Sequence, residues 1–276
     1  MLIGRVEQLW TYPVKSFAGV PVDVMSLTDD GPVGDRAWGV YDISSDVVLS
    51  AKRVGALLYA SVNADVVTLP TGSTGRLGDP ALDNALSEWL GRSVRMVHVD
   101  EQPSLRQEMH QDNEDEHSLV LRWRTPRGRY VDLFPLHLIA TVSLHQLAAA
   151  HPDLDWDVRR FRPNAVFATD VPEEDWLGRR LRIGTVELAV PDQLTERCVM
   201  ITRSQPSLSE QRSTLRTIAR ARRGFEGPLT AGSAGAQLGC YGEVVRAGTM
   251  RVGDDVELAR FVLVRVLRWR EHQPFR

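Results

Sequence analysis

The first hundred residues break into short runs rich in valine and aromatic side chains, each bounded by glycine, proline, aspartate or serine. GRVEQLWTYPV, VPVDVMSLTD, RAWGVYD, DVVLSAK, LLYASVNADVVTL and VRMVHVD are all of this kind. Their β-branched content suits pleated, half-buried strands. Strands at this spacing must curl or stack to bury one side, which points to an antiparallel barrel or sandwich. One helix interrupts them. In DPALDNALSEWLG, Asp79 is the cap, Pro80 takes the first helical position and Gly91 is the stop. Leu82, Leu86, Trp89 and Leu90 form its apolar face.

A second unit starts near YVDLFPLHLIATVSLHQLAAAHP, which reads as a strand, a turn and a capped helix beginning near Ser143. Short strands follow at NAVFAT, RRLRIGTVELAV and RCVMITR, then an amphipathic helix around STLRTIARARR. YGEVVRAGTMRVGDDVEL closes the unit as a strand pair, with Gly253 and Asp254 as a hairpin turn. The stretch EQPSLRQEMHQDNEDEHSLVLRWRTPRG has the least pattern, and its acidic run reads as a solvated loop. The expected fold class is mainly β with α+β elements, in two strand-rich domains. These are a barrel-like domain over 1–110, a connecting loop over 111–128, a second barrel domain with a few helices over 129–265, and a tail over 266–276.

The chain of 276 residues carries a formal charge of −3, so nothing attracts it globally to nucleic acid or an anionic membrane, and neither is expected as a partner. Two cysteines far apart give no disulfide framework and no Cys-x-x-Cys pair, and they suit a reducing compartment. MLIGRVEQLW acquires charge too early for a signal peptide, and no run approaches the ~20 apolar residues that cross a bilayer. The expected location is cytoplasmic.

Familiar catalytic signatures are missing: no phosphate loop, no G-x-S-x-G elbow and no H-E-x-x-H zinc helix. GSTGRLG reads as a turn. His137 and His145 flank a helix start but lack the carboxylate or cysteine partners of a metal site. What remains is a set of polar clusters at strand ends. YPVKS supplies Lys15 and Ser16, GDRAW supplies Asp35 and Arg36, and FRPN supplies Arg162 and Asn164. Two guanidiniums, an ammonium, a hydroxyl and an amide suit a phosphate or another compact anion, although sequence spacing does not show that they converge. In RCVMIT, Cys198 stands before an apolar run that reads as a buried strand. By pattern alone it is a small core residue, unless those clusters make it a ligand or a nucleophile.

Taken in order, LWTYPVKSFAGV, GDRAWGVYD, DLFPLHLIATVSLHQLA, RRFRPNAVF, WLGRRLRIG, ERCVMIT and GCYGEVVRAGTMRVGDDVEL resemble the MOSC family, the molybdenum cofactor sulfurase C-terminal domain, joined to its usual N-terminal β-barrel domain. The similarity runs over nearly the whole chain and is strongest to bacterial and mitochondrial amidoxime-reducing proteins. It implies a molybdenum cofactor (Mo-molybdopterin) gripped by Lys15 and Ser16, with Arg36 on the same anion or the pterin edge. It also implies cofactor contacts from Thr141, Ser143, Arg162 and Asn164, although the first two serve equally well as helix caps. Cys198 corresponds to the family's protein ligand to molybdenum, which makes it both metal ligand and catalytic residue. A soft thiolate extends the sulfur set a dithiolene begins, and Arg197 beside it favours the thiolate. Cys240 lies outside the ligand position and reads as a core residue.

The resemblance further implies an oxidoreductase that reduces N-hydroxylated compounds such as amidoximes, hydroxylamines and N-hydroxy nucleobases. Its electrons would come from an external ferredoxin- or flavin-type reductase, because no cysteine cluster marks an iron–sulfur domain. Two alternatives stand beside it: a sulfur-transfer protein with a persulfide on Cys198, and a non-catalytic cofactor carrier. Pyridoxal phosphate binding belongs to the family at large, but no desulfurase domain is recognisable here. Two segments depart from the family pattern. RSQPSLSEQRS replaces its Asp-Pro-x-Thr-Gly type of loop, and Gly55 stands where proline is usual.

Overall fold

The structure, a computed structural model, describes residues 1–110, 119–222 and 235–259. The acidic run and the C-terminal tail expected above lie outside these residues. Three α-helices, α1 (Pro80–Leu90), α2 (Thr141–Ala150) and α3 (Ser213–Ala221), accompany a mostly β framework among the described residues.

Seven strands close on themselves. Leu136–Ala140, Ala165–Thr169, Leu2–Thr11, Asp255–Leu258, Arg180–Ile183, Val186–Ala189 and Gln237–Arg246 pair in that order, and the last pairs back with the first. Closure removes the exposed edges that an open sheet of this size would present. Only Leu136–Ala140 and Ala165–Thr169 run parallel, and α2 supplies the crossover that parallel neighbours require. The interior holds Val6, Leu9, Leu138, Phe167, Leu181, Ile183, Leu188, Val256 and Leu258, all buried. Each such side chain contributes about 1.5–3 kcal/mol relative to exposure. Cys240 lies among them, a packed core residue whose thiol burial pushes well above its usual pKa.

A smaller unit has its own core, from Val14 to Met96. Trp38–Asp42 lies between Val94–His98 and Val47–Val48, beside a meander of Ser61–Asn63, Val66–Thr68 and Thr74–Arg76. Helix α1 follows its sequence signals. The Asp79 carboxylate accepts from Ala81 N at 2.9 Å, and Gly91 ends the helix in the left-handed region. Leu82 and Leu86 are its buried residues.

The two units interlock. Leu2–Thr11, within the 1–110 stretch expected as one N-terminal unit, is a stave of the seven-stranded barrel between Ala165–Thr169 and Asp255–Leu258. The chain crosses to the smaller unit at Tyr12–Val14, where Val14 bridges Trp38, and returns with Val20–Val22 against the first strand and Val24–Thr28 against Gly248–Arg251.

Four local expectations differ from the structure. Arg106–His110 and Val120–Arg124 form a hairpin in the stretch expected to lack pattern, because charged residues such as Arg122 and Glu108 pair at 2.8 Å across it and mask any apolar alternation. The run after Cys198 is a 3-10 turn, Val199–Thr202, and the strand is the preceding Leu194–Glu196. Ile201 drops from that turn into a core with Leu215 and Ile218, so the run is apolar without being extended. Gly253 and Asp254 turn between strands that do not pair with each other but enter different sheets. Helix α2 starts at Thr141 directly from its strand, with no capping side chain of its own.

Gly4 tests whether the first strand is integral to the barrel. A Cβ there would stand 2.2 Å from Ala168 O on the neighbouring stave. Gly4→Val is expected to destabilise the whole protein by about 1–3 kcal/mol, the usual cost of overpacking. Chemical denaturation should show the barrel and the smaller unit losing stability together.

Candidate functional site

Three sequence segments meet where the chain leaves the barrel. Tyr12 joins them. Its backbone N donates to Asp35 Oδ1 at 2.8 Å, its carbonyl accepts from Arg36 N at 2.7 Å, and its hydroxyl donates to Pro163 O at 3.0 Å. The Arg36 and Arg162 guanidiniums lie 4.3 and 4.2 Å from the centroid of its ring. Burial raises the phenol to about 12, an effect that Arg162 and Arg36 oppose, so it remains a neutral donor. Arg36 Nη1 bonds Asp35 Oδ2 at 2.5 Å and Asn164 Oδ1 at 3.2 Å, while Asn164 Nδ2 donates to Asp35 Oδ1 at 3.2 Å. Arg162 Nη1 donates to Phe17 O at 2.6 Å, tying FRPN to the end of YPVKSF. Burial lowers the Arg162 guanidinium to about 10, which leaves it a cation at neutral pH.

Beside this junction Lys15 and Lys52 share one carboxylate. Lys15 Nζ lies 2.9 Å from Asp132 Oδ1 and Lys52 Nζ lies 2.7 Å from Oδ2. Burial would raise Asp132, but the two ammoniums hold it well below the usual carboxylate range. Its side chain keeps 38% exposure, so water also screens the pairs. Burial lowers Lys15 despite Asp132. Lys52 is equally desolvated yet raised overall, because Asp132 and then Cys198 favour its ammonium. Ser16 Oγ accepts from Ala51 N at 2.9 Å, next to Lys52 in the chain.

Cys198 is half-buried and free. Arg197, just before it, is buried. Its Nη1 lies 2.9 Å from His137 Nε2, and its Nη2 donates to Phe161 O at 3.0 Å. A guanidinium can only donate, so one ring nitrogen of His137 accepts from it, Nδ1 lying 3.3 Å from Arg197 Nη1 while Nε2 also lies 3.3 Å from the accepting carbonyl of Leu238. Burial and the Arg197 charge hold His137 well below its ordinary pKa, so it is neutral. Arg197 Nε is buried with no hydrogen-bond partner among the described residues. Five cations (Lys15, Lys52, Arg36, Arg162, Arg197) stand against two carboxylates (Asp35, Asp132), leaving three positive charges in a chain whose formal charge is −3. Such a field gathers anions. No group of three His, Cys, Asp or Glu among the described residues could hold a metal ion without further ligands.

Of the residues singled out by sequence, the structure brings together Lys15, Ser16, Arg36, Arg162 and Asn164, with Cys198 joined through Arg197 and Lys52. It does not bring in Thr141 and Ser143. His137 and Asn164 lie at one end of their parallel staves, whereas Thr141 follows the other end, roughly 13 Å along at strand rise. Thr141 Oγ1 is engaged with Thr169, accepting from its N at 3.2 Å. Ser143 Oγ donates to Glu173, whose other carboxylate oxygen accepts from Ala140 N at 2.9 Å. The N-terminus of α2 is thus already met by a carboxyl group of the chain itself, that of Glu173, whose pKa burial pushes up.

Sequence reasoning passed over Tyr12, Lys52 and Asp132, and weighed His137 only as a metal ligand. A signal for Lys52 existed. Of the 33 basic residues only Lys15 and Lys52 are lysines, and both are on the same carboxylate. Compact, tunable ammoniums are not interchangeable with arginine.

The backbone is strained at the same place. Ser16, Arg36 and Arg162 have φ of 69°, 48° and 53°, three of six non-glycine residues in the left-handed region among those described. Each such conformation costs of order 1–3 kcal/mol and persists only where surrounding contacts impose it. Arg162→Gly should therefore leave the ligand-free protein about 1 kcal/mol more stable than Arg162→Ala, although both remove the guanidinium. Denaturant titration of the two variants checks this.

Comparison with known proteins agrees with this arrangement. The family descriptions "MOSC N-terminal beta barrel domain" and "MOSC domain" match residues 3–81 and 125–257. A protein named molybdenum cofactor sulfurase from Drosophila grimshawi is 30% identical over 80% of this chain, which spans only 31% of that relative's length. Mitochondrial amidoxime-reducing component 1 from Homo sapiens is 26% identical over 93% of this chain and 83% of its own, and component 2 from Bos taurus is 25% identical over 92% and 83%. With both family regions matched in order, the chain belongs to the MOSC-domain family.

Proposed function

We propose that the junction holds a molybdenum cofactor and that the protein is an oxidoreductase reducing N-hydroxylated compounds. The observation that carries this reading is the meeting of a cation-rich, strained donor cluster with a single half-buried thiol. The donor set fits the group. Arg36 and Arg162 each use only Nη1 in side-chain hydrogen bonds among the described residues, which leaves further donors on both forks for phosphate oxygens. The unpartnered Nε–H of buried Arg197 and the ammoniums of Lys15 and Lys52 add to them. Cys198 is one soft ligand, too few for a bare metal ion but suited to a metal that arrives with its own sulfur ligands. Lys15, Ser16, Arg36, Arg162 and Asn164 would hold the phosphate and pterin side, with Cys198 on the metal.

When bound, the cofactor supplies two-electron redox chemistry at the metal. The chain's part is to bind, orient and balance charge. Lys52 places a cation beside the Cys198 thiolate, and Asp132 keeps that cation protonated. Neutral His137 and Phe161 O fix the guanidinium preceding Cys198. Two cysteines cannot hold an iron–sulfur cluster, so electrons would come from a separate redox protein or from a domain outside this sequence. Similarity to the amidoxime-reducing components favours small N-hydroxylated substrates. Similarity to a protein named molybdenum cofactor sulfurase supports a second reading, in which Cys198 carries sulfane sulfur.

Protein produced in a host that makes the cofactor should contain molybdenum and pterin in equal amounts and reduce benzamidoxime with a chemical electron donor. Cys198→Ser should lower that activity by at least about 10–100-fold, the loss seen when even an outer partner of a metal is removed. Metal-free protein carrying a persulfide on Cys198, or a fully active serine variant, would contradict the reading.

A further inference from the structure

We infer that Tyr12 is a positioning residue, whose aromatic ring is the shared platform that aims the Arg36 and Arg162 guanidiniums at one anion. The inference rests on the reading of this junction as an anion site and says how the site is built.

The two arginines are 126 positions apart in sequence and come from different segments, yet their guanidinium carbons lie at nearly equal distances, 4.3 and 4.2 Å, from one ring centroid. A cation within about 6 Å of an aromatic face is attracted by the ring quadrupole, and more strongly where water is excluded. Water is excluded here: Tyr12 is 2% exposed and Arg162 is 5% exposed. Without such a platform two like charges this close would separate. Burial, Arg36 and Arg197 all oppose the Arg162 cation. Carboxylate neutralisation is incomplete. Asp35 pairs with Arg36, but the Arg162 guanidinium has a backbone carbonyl as its only hydrogen-bond partner among the described residues.

The rest of Tyr12 serves the same end. Its N–H and C=O engage Asp35 and Arg36 N, and its hydroxyl holds the carbonyl of Pro163, immediately after Arg162. Both arginines have left-handed backbones, a conformation that needs external contacts to persist. The ring receives the side chains, and the polar atoms of the same residue hold the two strained turns. Arg129, the other arginine behind Asp35, is instead engaged with the carbonyls of Asp30, Pro32 and Asp35 and faces no ring.

The experiment separates the ring's electrostatics from its shape. Tyr12 is replaced in the full chain by phenylalanine and then by mono-, di- and trifluorophenylalanine, which keep the packing while draining the negative face of the ring. Inorganic phosphate binding to the cofactor-free protein is measured by calorimetry, with the thermal transition recorded alongside. Tyr12→Phe should bind within about threefold of the parent, and affinity should fall stepwise to about tenfold weaker in the trifluoro protein at an unchanged transition temperature. A flat series would overturn the inference, as would a loss in Tyr12→Phe as large as in Tyr12→Leu, which would assign the effect to the hydroxyl. Absence of phosphate binding by the parent would also overturn it. Molybdenum content of the parent, measured separately, tells that failure apart from failure of the cofactor reading.

Discussion

The structure turns on one residue at the crossing between two cores. Tyr12 ends the first barrel stave and starts the passage to the smaller unit, and its backbone, ring and hydroxyl engage Asp35, Arg36, Arg162 and Pro163. Placing two guanidiniums side by side, one of them buried, is unfavourable unless their charge finds a compensating partner. An aromatic face, one carboxylate and fixed carbonyls do this incompletely. The residual positive charge is what makes the junction receptive to an anion.

Barrel closure makes that arrangement rigid. Because Leu2–Thr11 is hydrogen-bonded on both sides, Tyr12 leaves a fixed stave, and Asn164 begins the neighbouring one. Arg197 is reached from a third side, after Leu194–Glu196 pairs with Gln237–Arg246. The site residues therefore sit in short turns and strand ends next to these staves, and three of those turns carry strain. A site held on strands is more precisely placed than one on long loops.

The sequence made much of this legible. Strand-rich composition implied two β units, α1 was readable to its cap and stop, and the polar strand-end clusters named Lys15, Ser16, Arg36, Arg162 and Asn164. What stayed hidden was partnership over long range. Nothing local in GRVEQLWT says that it pairs with residues more than 150 positions away, so it reads as part of the unit it precedes. Thr141 and Ser143 were implied as cofactor contacts by the family resemblance, but the Glu173 carboxyl group, distant in sequence, already engages that helix start. VMIT resembled a strand because an apolar run does not distinguish a buried turn from an extended segment. Lys52 and Asp132 were not singled out, because nothing local shows that the two lysines of the chain share the Asp132 carboxylate.

Cys198 gains its meaning from this setting. A thiol before a buried turn is ordinary; this one is preceded by a guanidinium locked to a neutral histidine and lies within the field of Lys52, as the proposed ligand role requires. The most direct test is X-ray absorption at the molybdenum edge on cofactor-loaded protein, comparing the parent with Cys198→Ser. The account predicts one sulfur fewer around the metal in the variant, at unchanged pterin content. An identical sulfur count in the two proteins would contradict it.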